Sequence, residues 1–259
     1  RQLSPFQDPE LQSSGILQRF SLTAVDQKET LFNHLRDGLP GDLRKMLATQ
    51  HRMVPAIGNL ISACFYDSEL KSAERALSGL LARTLQRPVT WFSTSGVDEK
   101  GSKRVGTSQW NGFEVRYISD LIGRIDFELR HGKTKSNLVS IAVLTGYGEQ
   151  RARLHAAIQN RRHDWQSFSD IYVNVVDAFQ GREADILIFS VTRSDVRGLG
   201  FLREMERINV ALSRGREYLV IVGDHQFCQE AEGRFNPLKG VIDYIRGNPQ
   251  DCILEEIKP

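Results

Sequence analysis

Apolar runs and amphipathic stretches alternate along the 259-residue chain, and their order sets the expected architecture. Residues 89–92 and 138–144 (LVSIAVL) are apolar nearly throughout, the pattern of strands covered on both faces in a parallel sheet. Residues 171–176, 186–191 and 218–222 add three more such runs. Between them the spacing turns helical. Ile57, Leu60, Ile61 and Phe65 fall on one face, as do Val115, Ile118, Leu121, Ile122 and Ile125 of a helix expected over 114–129, with Asn111 placed to cap it. Further helices are expected up to Ile158 and over 206–216, with an amphipathic segment at 238–245, and residues 29–39 read as a helix closed by Gly38 and Pro40. The alternation predicts an α/β fold: a mostly parallel sheet with helices on both faces, and ligand contacts beyond the carboxyl ends of the strands. Residues 93–106, with Gly96, Gly101 and several charges, read as a mobile loop.

Composition narrows the class without choosing a function. Apolar content and 21 glycines are ordinary for a globular protein. A net charge of +2, with a pI near 8.5, permits a nucleic-acid partner but does not argue for one. Cys64, Cys228 and Cys252 are far apart and lack metal-ligand spacing, which fits a reduced, intracellular setting. No apolar run approaches a membrane span and no signal peptide is visible, so the expectation is a protein with no membrane partner and no metal site of its own. The chain opens on Arg1 and reads as a fragment of a longer protein.

Two charged stretches carry more than a fold needs. Residues 177–183 set Gln180, Arg182 and Glu183 around Gly181, directly before an apolar strand, an arrangement suited to close backbone approach to a ligand. Arg207, Arg214 and Arg216 frame Asn209-Val210-Ala211-Leu212-Ser213. On a continuous helix Arg207 and Arg214 share a face, and guanidiniums that converge call for an anion, with phosphate the natural one. A basic amphipathic helix with solvated arginines is the plainer reading of the same residues. His131-Gly132-Lys133-Thr134 is no phosphate loop: the required earlier glycine is Phe127, and the segment follows a helix and precedes a strand.

Taken together, residues 176–183 and 207–216 resemble motifs V and VI of superfamily 1 helicases, in the branch of the nonsense-mediated-decay helicase. The family patterns V-D-x-F-Q-G-R-E and R-x-N-V-A-L-[ST]-R-A-R are matched at nearly every position. Gln50-His51-Arg52-Met53-Val54-Pro55 is similar to motif IV (Q-Y-R-M-x-P), and Phe65 to Leu70 to the F-Y-x-G-x-L that follows it. Ser108, Asn111 and Glu114 match S-x-x-N-x-x-E, read as mostly structural, and Thr145-Gly146-Tyr147-Gly148-Glu149-Gln150 resembles T-P-Y-x-x-Q. Arg1 to Pro5 resembles the tail of motif III.

The resemblance implies a RecA-like P-loop NTPase fold, with 1–45 the end of a first motor domain and connecting segment and 46–259 the second RecA-like domain. It implies an ATP-dependent helicase or translocase on single-stranded DNA or RNA, working with an N-terminal RecA-like domain of the same protein. That domain would hold the phosphate loop and the Mg²⁺ ligands, so this chain alone would be inactive. Arg52, Arg214, Glu183 and Gln2 would be catalytic; His51, Gln180, Gly181 and Arg207 would bind nucleotide; Thr145, Gly146, Tyr147 and Gln150 would hold the strand. Departures bear on these roles. His51 stands where the family has a base-stacking Tyr, which weakens the stack or makes it pH-dependent. Gly146 replaces Pro, which implies a looser loop, and Val175 stands where relatives carry a strand-contacting Ser or Thr. The implied location is intracellular, cytoplasmic with the nucleus left open. The alternative class is a non-hydrolysing nucleic-acid-binding or scaffold module descended from such a motor.

Overall fold

A computed structural model describes residues 38–40, 43, 47–132, 138–194, 198–231 and 236–258. The chain divides into two compact units, Arg1–Leu47 and Ala48–Pro259, and every element named below belongs to the second. Gln2, and all but the last two residues of the expected 29–39 helix, lie outside the described residues.

The elements run β1 (Thr49–Gln50), α1 (Pro55–Phe65), β2 (Lys71–Ser72), β3 (Val89–Ser93), β4 (Lys103–Val105), β5 (Ser108–Trp110), α2 (Gly112–His131), β6 (Val139–Thr145), α3 (Gly148–Arg161) and β7 (Phe168–Val175). They continue with β8 (Ala184–Ser190), α4 (Met205–Leu212), β9 (Gly215–Gly223), α5 (His225–Glu230), α6 (Pro237–Gly247) and β10 (Cys252–Glu256). Six strands form one sheet in the order β10-β3-β9-β8-β6-β7, every neighbouring pair parallel. The near-continuous apolar runs are explained by cover on both faces. On one face Ile141, Val143, Ile186, Ile188, Val220 and Val222 pack with Ile118, Leu121, Ile122 and Ile125 of α2 and Leu154 and Ile158 of α3. On the other, Trp91, Leu187, Phe189, Leu219 and Ile221 are fully buried beneath the layer of α1, α4 and α6.

Capping follows the sequence. The Asn111 side chain accepts from Glu114 N at 3.1 Å to start α2, and Asp224 accepts from Phe227 N at 3.0 Å to start α5. Three expectations change. The 93–106 loop contains β4, which pairs antiparallel with β5 just beyond it to form a short ribbon, and the loop's Lys100 is tied to Asp224 at 3.0 Å. The helix expected over 206–216 stops at Leu212, and residues 215–216 already belong to β9. Residues 252–256, which carry two consecutive glutamates and so lack a buried-strand pattern, form the sheet edge beside β3.

Candidate functional site

Two polar clusters stand at opposite ends of the sheet. At the amino ends, Glu183 directly precedes β8, Arg214 directly precedes β9, and Ala184 N donates to Arg214 O at 3.1 Å. Arg52 follows β1, where the Gln50 amide shapes the turn: its oxygen accepts from Arg52 N (2.9 Å) and Met53 N (2.8 Å), and its nitrogen donates to Met53 O (3.0 Å). The turn delivers the Arg52 guanidinium to Glu183 at 2.8 Å and to Ser213 O at 3.2 Å. Arg216 approaches the other Glu183 oxygen at 3.5 Å and Asp185 at 2.6 Å. Asp185 in turn accepts from Ser140 N and Oγ, at 2.9 and 2.7 Å. Burial pushes the Asp185 carboxyl up, but the Ser140 hydrogen bonds and Arg216 outweigh it and hold the group below the usual range.

Arg214 is the guanidinium of this cluster that pairs with no carboxylate among the described residues. Its Nε donates to Val210 O at 2.8 Å, across the last turn of α4. Burial and the neighbouring Arg52 charge lower its pKa to about 10, so it stays charged at neutral pH. Arg52 and Arg216 take the two carboxylates Glu183 and Asp185, and with Arg214 beside them the cluster carries an excess of one positive charge. Tyr66 and Asn209 brace the cluster from behind, Asn209 Nδ2 donating to Tyr66 Oη at 3.1 Å.

The expectation that Arg207 and Arg214 converge is corrected. Because α4 ends at Leu212, Arg214 lies beyond the helix. Arg207, near the first turn, pairs instead with Asp177 and Glu204, both at 3.0 Å, and lies over the Phe201 ring. The guanidiniums that converge are Arg52, Arg214 and Arg216. The expectation that ligand contacts lie beyond the carboxyl ends is likewise corrected for Arg52, Glu183 and Arg214. Residues 176–183 cross from the carboxyl end of β7 to the amino end of β8, carrying Glu183 with them. Gln180, Gly181 and His51 are exposed beside this end of the sheet. Gly181 has φ +82 with open space where a Cβ would stand, so the turn conformation, not close approach, requires glycine.

At the carboxyl ends lies a buried polar network. Thr145 and Gln150 are fully buried. Thr145 Oγ1 lies 3.0 Å from Thr192 Oγ1; Gln150 donates to Ser190 Oγ at 2.9 Å and accepts from Asn111 N at 2.8 Å. Their side chains therefore hold the loop from inside, and the loop turns its exposed Gly148 outward. Tyr147 is buried as well, its ring 6.2 Å from that of Phe201. Gly146 does not loosen the loop: a Cβ there would stand 2.3 Å from the Phe201 ring, so phenylalanine packs where a proline ring would lie. Glu114 is the centre of the network. Its carboxylate accepts from Thr192 N at 3.0 and 2.9 Å and from Ser190 Oγ at 2.5 Å, and it grips Thr192 in a left-handed conformation at φ 73. Burial, opposed by these hydrogen bonds and reinforced by Asp224, raises its pKa to about 8.

Arg216, Asp185, Phe201 and Glu114 were not assigned functional roles from sequence. Arg216 carried a signal as one of the three framing arginines; Phe201 carried none. Among the described residues, no group of His, Cys, Asp or Glu is arranged to hold a metal, and no helix is long and apolar enough to cross a membrane. A cleft of about 840 Å³ on the α2–α3 side, lined by Arg124, Phe127, Arg161 and Trp165 among others, includes none of the residues expected to be functional.

A family model described as an AAA domain (AAA_12) matches residues 27–226. The chain is 30% identical over 224 residues to the DNA polymerase alpha-associated DNA helicase A of Saccharomyces cerevisiae, covering 80% of this chain and 31% of that protein. It is 34% identical over 218 residues to the Regulator of nonsense transcripts 1 homolog of Arabidopsis thaliana, covering 81% and 16%. It is 30% identical over 211 residues to Helicase sen1 of Schizosaccharomyces pombe, covering 78% and 12%. The chain thus spans between 12% and 31% of the length of these relatives.

Proposed function

The chain belongs to the AAA_12 family of AAA domains, as a C-terminal RecA-like domain of a superfamily 1 helicase, and from that membership we propose that it is the second motor half of an ATP-dependent helicase or translocase on single-stranded nucleic acid. The observation that carries the reading is Arg214: half-buried, charged, repelled by the nearby Arg52 and, among the described residues, paired with no carboxylate. Such a guanidinium is preorganised for an anion, and an anion would relieve its repulsion from Arg52.

Bound ATP supplies the phosphoryl group that passes to water. Arg214 and Arg52 donate to its γ-phosphate oxygens and neutralise the charge that develops there. Glu183 releases Arg52 to the phosphate while Arg216 retains the carboxylate, so the nucleotide changes the partners of residues 176–183. Gln180, Gly181 and His51 border the same pocket. The two exchangeable Nη groups of Arg214 and the excess charge fit a phosphate; the described residues do not fit a Mg²⁺ ion, whose ligands belong to an N-terminal RecA-like partner domain in this reading. Residues 1–45, with Gln2, are the end of that partner and the segment that connects it to this domain. At the opposite end of the sheet, the 145–148 loop meets the strand through its backbone, with Thr145 and Gln150 as internal supports, giving contacts that are salt-dependent and indifferent to sequence. Cys64, Cys228 and Cys252 are free thiols with pKa values raised by burial, in keeping with a protein working inside the cell, in cytoplasm or nucleus.

The test is Arg214→Ala and Arg214→Lys in the complete protein. A charge acting in the transition state changes kcat more than binding, so Arg214→Ala lowers ATP turnover at least about a hundredfold while strand affinity and the unfolding midpoint stay close to the parent's. Lysine rescues poorly, because an ammonium lacks the planar fork. Turnover within a few-fold of the parent in a folded Arg214→Ala protein defeats the arginine-finger role and favours a non-hydrolysing module.

A further inference from the structure

We propose that the β4–β5 ribbon is a second contact surface for the sugar–phosphate backbone of a single strand, continuing the path that begins at the 145–148 loop. The proposal rests on the nucleic-acid reading above. Lys103–Val105 and Ser108–Trp110 pair antiparallel across a turn at Gly106, whose φ is +57. A two-stranded ribbon is marginal alone, so its position depends on what it is fastened to. Ser108 Oγ accepts from Glu149 N at 3.0 Å, Ser102 N donates to Ser194 Oγ at 3.1 Å, and Trp110 lies against Arg153 with the guanidinium carbon 3.7 Å from the ring centre. Glu149 and Arg153 sit on the first two turns of α3, so the ribbon stands directly beside exposed Gly148.

The charges on this surface are one-sided. Lys103 faces Trp110 across the ribbon, with Nζ 5.3 Å from the ring centre, so one indole gathers two cations. Arg153 has Glu149 at 2.8 Å, whereas exposed Lys103 pairs with no carboxylate among the described residues; Arg104, opposite Gln109, leaves the strand on the other face, and its Nε donates to Gly106 O at 2.8 Å. Cations collected on an aromatic face repel one another, and a polyanion with regularly spaced charges satisfies both them and the adjoining loop. Trp110 is then a positioning residue for Lys103 and Arg153, and the phosphate contact is made by Lys103.

Fluorescence anisotropy of labelled oligo(dT) and oligo(U) with the complete protein tests this across a salt series. Each phosphate contact on a single strand contributes about 0.7 to the slope of log K against log salt. Lys103→Ala should flatten the slope by about 0.7 and weaken binding several-fold at low salt. Arg87→Ala, which removes an exposed arginine held at Pro249 O, should change neither beyond twofold. Trp110→Phe should bind close to the parent and Trp110→Ala should lose affinity, with unfolding midpoints reporting that each variant is folded. A folded Lys103→Ala variant with the parent's slope and affinity overturns the ribbon's role and leaves the strand reading intact. A parent that binds neither oligonucleotide overturns that reading, and this proposal with it.

Discussion

Replacing Glu114 by glutamine should remove one pH dependence from the stability of the domain while keeping its hydrogen bonds. The carboxyl is fully buried among Ser190, Thr192 and Asn111, and its pKa rises from 4.5 to about 8. For an acid whose folded pKa is raised, the folded state holds a proton that the unfolded state releases between the two values. Stability is therefore greatest below pH 4.5, falls as pH rises through the window to about 8, and levels off above it. At roughly 1.4 kcal/mol for each unit of displacement, the total fall is on the order of a few kcal/mol. Other groups act in the opposite sense. Burial, partly offset by Glu256, lowers the His225 pKa, so that residue contributes stability as pH rises towards 6.5. Asp185 and Asp224, both depressed, contribute above about 3.8. These contributions persist in Glu114→Gln, whose amide can donate to Ser190 Oγ and accept from Thr192 N, so the difference between parent and variant isolates Glu114. Urea unfolding at about pH 5.5, 7 and 8.5 is the assay. The parent's advantage over the variant should shrink or reverse as pH rises. Glu114→Ala, which leaves Thr192 N unpaired and removes the carboxylate acceptor of the Ser190 hydroxyl, should lose about 2 kcal/mol or more at every pH. Parallel parent and Glu114→Gln curves across that range would refute the buried-acid account.

Two further predictions concern glycine positions where this chain departs from the family pattern. Ser68 has φ 63 at the end of α1, in the place of the pattern's glycine, with its N–H on Ser62 O at 3.0 Å. Ser68→Gly should raise stability by about 1 kcal/mol, read as a higher denaturation midpoint; a lower midpoint would show that the serine side chain matters more than the backbone. At Gly146, alanine collides with the Phe201 ring and should cost about 1–3 kcal/mol, while Gly146→Ala/Phe201→Ala should cost less than the two single changes added together. An additive cycle would mean that the two residues do not share that space.

The hydrophobic pattern determined much of this molecule without tertiary help. Apolar runs at 138–144 and 186–191, too short for helices and rich in β-branched residues, read as strands covered on both faces, and the helical spacing around Ile118 to Ile125 supplies a face that covers them. Cap residues such as Asn111 act within three residues of themselves, so they too were legible. Arg52, Glu183 and Arg214, which gather at the amino ends, were named by the resemblance of 50–55, 176–183 and 207–216 to helicase motifs IV, V and VI. Their placement was another matter. Whether Arg207 or Arg216 joins Arg214 depends on α4 ending at Leu212, and that end is decided by where β9 must begin to pair with β8, a contact between distant segments. The burial of Thr145 and Gln150 follows from Glu114 and Asn111 reaching the same strand ends from α2. Phe201 occupying the space above Gly146 required two loops to meet. Local sequence sets which residues are polar, capped or strand-forming; only packing across the sheet decides which of them share a site, because the partners of a side chain are chosen by long-range geometry.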